Sequence, residues 1–472
     1  MAVPTICVGL AGPSGVGKSA FLKALLDNEF DLASGGGTGR PRSTETLEFA
    51  HAKIYKCSSR IRASCYRSCC HLLDMEDSGC DTPGHDMERL SLSRRAGFID
   101  CPGNQLLVPT ILKGIRMADG VLILSQPTDG FSAAPTLEAL AAAHMMRRSI
   151  VVVQIIKNAA DLNKLDQHQK EIRKCIKQLN IPRGVEVPIV KISASELLKD
   201  IGDVCRRMIS MMPVTQRQAA SSSASDSPAA LMVIASSCLV DPVGEEEENA
   251  VASAAAAGDA TMFVTLVGRV VQGLVSIADE VEVRPGIVVK DDDGNLVCYP
   301  ITLKVTSAAE GEGDGLVTLR ASATIVNVGG NSVQLRLVRF VLGGDEGTGG
   351  HVLGYPLRCL PLVYDALKVN VLLLPRIGDP YTEKLYDPVP PLEIGQKLLL
   401  IIGTMPTYGR VNELTGRNGQ QMTIVVTGLS PPTCATYQET ILVCRHLTLS
   451  WHLIGCGTIL GGRALRMVSS SS

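Results

Sequence analysis

The sequence has no excess of charge of either sign: 45 basic against 47 acidic side chains leave a formal net charge of −2. A nucleic-acid binder therefore cannot be read from the overall balance, which neither demands nor excludes an RNA partner. No stretch approaches 18 uninterrupted apolar residues, so no membrane-spanning helix is expected. The first apolar run, from Thr5 to Leu10, lacks a preceding basic region and leads straight into a glycine-rich loop. It reads as a strand and not as a signal peptide. The fifteen cysteines are scattered through the chain, without the density of a disulfide framework, and this fits a reducing, cytoplasmic setting. What is present is ample core material: 45% hydrophobic and 19% charged residues in 472. That length suits roughly two to four domains.

The stretch Gly12-Pro13-Ser14-Gly15-Val16-Gly17-Lys18-Ser19 has the spacing G-x-x-x-x-G-K-S. It lies between that strand and the helix-like Ala20 to Asp27, the context a phosphate-binding loop requires. Glycines let successive backbone N–H groups turn toward a phosphate, and the helix starting at Lys18 adds its positive end. Lys18 is placed for the β- and γ-phosphates and Ser19 for Mg²⁺, with Gly12, Gly15, Val16, Gly17 and Ala20 completing the nucleotide contacts.

Up to about Pro213, apolar runs alternate with helical stretches. Thr5 to Leu10, Ala96 to Ile99, Gly120 to Leu124, Ile150 to Ile156 and Val187 to Ile192 read as strands; Ala139 to Arg148 and Gln167 to Leu179 read as helices. This pattern implies a mostly parallel sheet covered by helices, with ligands at the carboxyl ends of the strands. A polar linker, Gln216 to Pro228, follows. Beyond it, Leu231 to Ile234, Thr261 to Val267, Asp279 to Val283, Leu316 to Arg320 and Ser332 to Leu342 are short β-branched segments, the texture of a β-barrel or sandwich. Glu245 to Glu248 and Ala254 to Ala257 read as a solvated insertion. The expected architecture is an α/β P-loop domain at 1–213, a linker at 214–230, β-barrel domains at 231–349 and 350–468, and a tail at 469–472.

Phosphate loops serve several nucleotides, so the base needs its own argument. Asp100-Cys101-Pro102-Gly103, at the end of a strand, fits D-x-x-G, whose carboxylate reaches Mg²⁺ through water and whose glycine senses the γ-phosphate. A second match, Asp81-Thr82-Pro83-Gly84, follows no buried strand and reads as a turn. At the end of the next strand but one, Asn158 and Asp161 form N-x-x-D, which sets an amide and a carboxylate against guanine. Ser193, Ala194 and Ser195 suit the last base-contacting loop. In this order, at strand ends, these residues make a GTP-binding domain.

With those residues in place, the chain resembles the gamma subunit of eukaryotic and archaeal translation initiation factor 2, a relative of elongation factor Tu. The likeness rests on Ala52 to Cys57, Cys65 to Cys69, Leu112 to Leu124, Val281 to Ile287 and Trp451 to Gly457. It implies a GTPase that binds GTP or GDP with Mg²⁺ and carries initiator methionyl-tRNA to the small ribosomal subunit. Its implied partners are α and β subunits, an exchange factor and a GTPase-activating partner. The related alternatives are an elongator or selenocysteyl-tRNA carrier and a weakly hydrolysing GTP-binding scaffold. The register puts Thr44 at the switch threonine, a second Mg²⁺ ligand. It puts Cys57, Cys65, Cys69 and Cys70 at the family's cysteine knuckle, although the second family cysteine is absent from Ser58 to Ser64, so a Zn²⁺ site and a set of reduced loop cysteines are the two alternatives. Arg60, Arg62, Arg67, Arg94 and Arg95 are candidate tRNA contacts. Three departures stand out. Asn104 takes the place of the histidine that orients the attacking water, beside Gly103; Ala159 takes the place of the lysine that stacks on the base; Ala278 takes the place of a glycine. An amide cannot do the work of imidazole, so slow hydrolysis is expected. His85 could stand in for Asn104 only through a folded-back loop.

Overall fold

The computed structural model describes residues 5–26, 46–57, 65–70, 74–80, 85, 88–128, 134–179, 187–194, 197–212, 230–242, 260–273, 275–309, 315–325, 351–355, 360–374, 377–378, 385–386, 389–418, 420–447 and 450–468, with a few isolated positions between them. The chain divides into two compact units. One holds Met1–Thr215, Leu373–Pro391 and Cys444–Cys456; the other holds Gln216–Leu372, Leu392–Val443 and Gly457–Ser472.

The N-terminal part runs β1 (Thr5–Ala11), α1 (Lys18–Leu25), β2 (Glu48–Cys57), β3 (Tyr66–Cys70), β4 (Leu90–Asp100), α2 (Val108–Met117), β5 (Gly120–Ser125), α3 (Ala134–Met145), β6 (Ser149–Ile156), α4 (Ala159–Gln178), β7 (Ile189–Ser193) and α5 (Leu197–Met211). Its sheet has the order β3-β2-β4-β1-β5-β6-β7. β1 is parallel to β4 and β5, β5 to β6, and β6 to β7; β2 is antiparallel to β4 and β3. All of β5 and nearly all of β1 and β6 are buried, as continuous apolar runs in a two-faced parallel sheet should be. Ile6, Val8, Leu10, Phe21, Phe98, Leu122, Val151 and Met208 belong to one core cluster. The carboxyl ends of β1, β4, β6 and β7 thus deliver residues 12–19, Asp100, Lys157–Asp161 and Ser193 along one edge.

Two helices begin earlier than their apolar periodicity suggests, at Ala134 rather than 139 and at Ala159 rather than 167. For α4 the reason is local: of its 20 residues only Asp161, His168, Ile172 and Cys175 are buried, so a hydrophobic stripe is almost absent from its first two turns.

The remaining strands are β8 (Leu231–Val240), β9 (Ala260–Gln272), β10 (Glu280–Lys290), β11 (Leu296–Ala309), β12 (Gly315–Ile325), β13 (Val352–Gly354), β14 (Leu362–Leu373), β15 (Ile377–Gly378), β16 (Leu385–Tyr386), β17 (Lys397–Ile402), β18 (Met405–Asn418), β19 (Gln421–Ser430), β20 (Thr433–Ala435), β21 (Thr440–Leu447), β22 (Ser450–Ala464) and β23 (Arg466–Met467). The sheet β10-β13-β8-β9-β12-β11 closes through β10 and β11, and β19-β18-β17-β21-β22-β14 closes through β19 and β14. Both are barrels, which removes free edges. β13 belongs to the first barrel, so that barrel runs past the boundary expected at 350; three residues pairing with β8 and β10 complete its ring. The expected strand Ser332–Leu342 lies outside the described residues, apart from Val341. Ala278 has φ +70° in the turn before β10, which explains why a glycine is expected there.

Candidate functional site

β1 ends at Ala11 and α1 starts at Lys18, so the glycine loop joins a buried strand to a helix N-terminus. Gly17 is the N-cap and offers no side-chain cap, which leaves the first N–H groups of α1 to an anion. Glycine is required at 12: a Cβ there would sit 2.3 Å from the Leu124 carbonyl oxygen. The Lys18 ammonium donates to the carbonyls of Gly12 (2.9 Å) and Pro13 (3.1 Å), acceptors that phosphate oxygens can replace. Burial lowers the Lys18 pKa, and Asp100 opposes that shift.

Asp100 is fully buried at the end of β4. Its Oδ2 accepts from Ser19 Oγ at 3.1 Å, while its Oδ1 accepts no hydrogen bond from any described residue. Burial pushes the carboxyl up to about 6, although the Ser19 bond and the Lys18 charge pull the other way. A hydroxyl and a carboxylate with an unspent buried oxygen fit a hard divalent cation, so the residues suit Mg²⁺. Ser14 N donates to the Gly103 carbonyl at 3.1 Å, and a Cβ on Gly103 would meet Lys18 Nζ and Ser14 N at 2.5 Å. Segment 100–103 therefore lies directly against the phosphate loop.

The base loop is built differently from the sequence expectation. Asn158 caps α4: its Oδ1 accepts from Asp161 N (3.0 Å) and Asp161 Oδ2 accepts from Asn158 N (3.3 Å), a reciprocal capping box. Asp161 is wholly buried. Oδ2 also accepts from Lys157 N (2.8 Å) and Gln126 Nε2 (3.3 Å), and Oδ1 from Thr128 N (3.2 Å) and Thr128 Oγ1 (2.9 Å). Burial alone would raise this carboxyl; the bonds from Lys157, Thr128 and Gln126 outweigh it and hold the pKa below the ordinary value. Asp161 thus ties the segment after β5 to the segment after β6. Gln126, Thr128 and Lys157 were missed by sequence reasoning, and no spacing rule singles them out. Ser193 N donates to Asp200 Oδ2 (2.8 Å) and Ala194 N to the Ile156 carbonyl (2.9 Å), which sets the last loop beside the base loop. Val16 is buried beneath the phosphate loop and Ala20 is exposed on α1. Thr44, Ser195 and the rival Asp81–Gly84 lie outside the described residues.

Residues 365–459 match the family described as initiation factor eIF2 gamma, C terminal. Over 98% of its length the chain is 29% identical to eukaryotic translation initiation factor 2 subunit gamma of Schizosaccharomyces pombe, covering 95% of that protein. Over 99% it is 28% identical to subunit 3 of the same factor from Drosophila melanogaster, covering 91%. In fold it is similar to the translation elongation factor SelB of Methanococcus maripaludis solved with the GTP analogue GppNHp, with a TM-score of 0.61 at 12% identity, over 98% of this chain and 80% of that one. The chain is similar along nearly its whole length to the gamma subunit of initiation factor 2, and its residues 365–459 match that family's C-terminal part. It is a translation initiation factor and a GTPase, which implies guanine nucleotide and Mg²⁺ as its cofactors.

The chain has a thiol cluster, but with other members than expected. Cys57, Cys65, Cys80 and His85 bring their ligand atoms within 4.8 Å of one another. His85 Nδ1 lies 3.4 Å from Cys65 Sγ, 3.5 Å from Cys57 Sγ and 3.9 Å from Cys80 Sγ. Cys69 is buried in the same apolar cluster without joining the four, and Cys70 packs on the opposite side against the main core. Strand alternation explains this: neighbours on β3 point to opposite faces, so Cys69 and Cys70 cannot serve one ion. Three sulfurs and a nitrogen at tetrahedral bond lengths have edges of about 3.5 Å, so the set fits Zn²⁺. His85 belongs to this cluster.

Asn104 is exposed, and its Oδ1 accepts from Leu106 N (3.0 Å) as the cap of the turn Gln105–Leu107. Of the candidate tRNA-binding arginines, Arg94 donates to the carbonyls of Met212 and Ile209, and Arg67 to that of Tyr66. Arg60 and Arg62 lie outside the described residues.

Proposed function

We propose that this chain is the nucleotide-switched gamma subunit of a heterotrimer with α and β subunits, carrying methionylated initiator tRNA to the small ribosomal subunit in the cytoplasm. The observation that carries the reading is likeness over nearly the whole chain to subunits of that factor from two organisms, together with a complete Lys18, Ser19 and Asp100 set. A phosphate chain entering the loop takes the Lys18 ammonium from the Gly12 and Pro13 carbonyls and separates Ser14 N from Gly103. Moving segment 100–103 is the event that distinguishes GTP from GDP, and its differential contacts shift the population toward the tRNA-binding state. Thr44 adds its hydroxyl to Mg²⁺ beside Ser19. Asn158, Ser193, Ala194 and Ser195 border the base; Asp161 reads guanine only by exchanging bonds from Gln126 and Thr128 for the base N–H donors. An exchange factor and a GTPase-activating partner complete the cycle.

Hydrolysis by the isolated chain is slow. The Asn104 oxygen that would accept from an attacking water already accepts from Leu106 N, and the amide is no base. Cys57, Cys65, Cys80 and His85 hold Zn²⁺, a structural clip between β2, β3 and the segment before β4.

The test is displacement of a fluorescent GDP by GTP, GDP and ATP with and without Mg²⁺, followed by retention of initiator methionyl-tRNA. Displacement by guanine nucleotides alone, with tRNA retained in GTP and released in GDP, is the expected result. Absence of any nucleotide binding would overturn the switch and leave a partner-binding scaffold.

A further inference from the structure

Residue 159, where a lysine stem was expected to cover the base, is an exposed alanine. The carboxylate of Asp161 is buried and the Asn158 oxygen is engaged by Asp161 N. Of residues 157–161, these two polar groups therefore hold the loop together. One long side chain remains. Lys157, the first residue after β6, is exposed, and its Nζ donates to the Gly15 carbonyl at 2.6 Å across 142 positions of sequence. Its backbone is also fixed, because Lys157 N donates to Asp161 Oδ2 at 2.8 Å.

We propose that Lys157 is the platform for the nucleobase and the brace of the phosphate loop, doing from two positions upstream what residue 159 cannot. With one end held by Asp161 and the other by Gly15, the four-carbon stem is stretched between the base loop and the phosphate loop. An extended methylene chain with its charge satisfied at the tip is an apolar strip, suited to the flat face of a purine. The ammonium holds Gly15 at a set distance from the end of β6, so phosphate and base subsites keep a fixed spacing. The capping box and the buried Asp161 carboxylate are then positioning groups: they set where Lys157 leaves the sheet. The chemistry recognised is a purine nucleoside di- or triphosphate, with the stem contributing to affinity through the base and the ammonium through the loop.

This inference rests on the reading of residues 12–19 as a nucleotide site. The experiment measures affinity and dissociation rate of a fluorescent GDP on the full chain and on Lys157→Ala, Lys157→Met and Lys157→Arg, with ribose 5-triphosphate as a base-free competitor. Lys157→Ala should weaken GDP roughly tenfold or more, the scale of one desolvated stacking contact. Lys157→Met, which keeps most of the stem, should lose less, and Lys157→Arg, which restores the bond to Gly15, least. The base-free ligand should be weakened less than GDP by Lys157→Ala. If Lys157→Ala binds GDP as tightly as the unaltered chain, or weakens GDP and the base-free ligand by one common factor, the proposal is overturned. Failure of the unaltered chain to bind any guanine nucleotide overturns the nucleotide reading itself, and this inference with it.

Discussion

Glu138 on α3 and His452 on β22 meet in the interior, Oε1 to Nδ1 at 2.7 Å, although 314 residues separate them. The other glutamate oxygen accepts from Leu453 N (3.1 Å), and His452 Nε2 lies 2.8 Å from Ser450 Oγ. Both side chains are buried, so removing one partner leaves the other unsatisfied in apolar surroundings. His452→Ala and Glu138→Ala should each cost about 3 kcal/mol in urea unfolding, and the double variant far less than their sum. Additive costs would show that the two residues act independently.

Asn104→His restores an imidazole beside Gly103. Single-turnover GTP hydrolysis should rise roughly tenfold or more, within the range of general acid–base effects. Asn104→Ala should leave the slow rate unchanged, since its oxygen serves Leu106 N. A drop in hydrolysis on truncation would show that the amide does take part.

Metal analysis of the purified chain should find about one Zn²⁺, held by a Cys₃His set. Cys80→Ser and His85→Ala should lose it; Cys70→Ser should retain it. Retention in His85→Ala together with loss in Cys70→Ser would restore the ligand set first expected from the sequence.

Ala278 carries a left-handed backbone at φ +70°. Ala278→Gly should stabilise the barrel that contains β10 by about 1 kcal/mol, read from the unfolding midpoint. No change would mean the turn relaxes away from that angle.

The Asp161 carboxyl has a lowered pKa in the folded chain. The unfolded chain therefore binds its proton first, and the stability Asp161 contributes is complete above its unfolded value of about 4 and lost as pH falls through the lower folded value. Asp161→Asn should lower stability at neutral pH and flatten the acid limb of the stability curve. An unchanged acid limb would place the pH dependence on other carboxylates.

The expected order, an α/β GTPase domain and then two barrels, was legible because it rests on short-range patterns. Buried parallel strands such as Gly120–Ser125 are continuous apolar runs, and the phosphate loop needs only glycines and a lysine at set spacing between a strand and a helix. The start of α4 was not legible by periodicity, because few of its early residues are buried. Yet its signal stood in plain view: the same N-x-x-D that reads as a base motif is also a helix capping box, and local letters cannot say which use its carboxylate serves.

By itself, then, the sequence determined the strand–loop–helix that carries residues 12–19, the place of Asp100 at the end of β4, the likeness to initiation factor 2 gamma, and the order of an α/β domain and two barrels. Each of these depends on residues a few positions apart or on likeness spread along the chain. Only the tertiary structure decided which thiols gather, where the Asp161 carboxylate points, that Lys157 reaches Gly15, and that Glu138 meets His452. Those choices depend on how the backbone brings distant segments together, and on which face of a strand each side chain occupies, so that Cys80 and His85 replace Cys69 and Cys70.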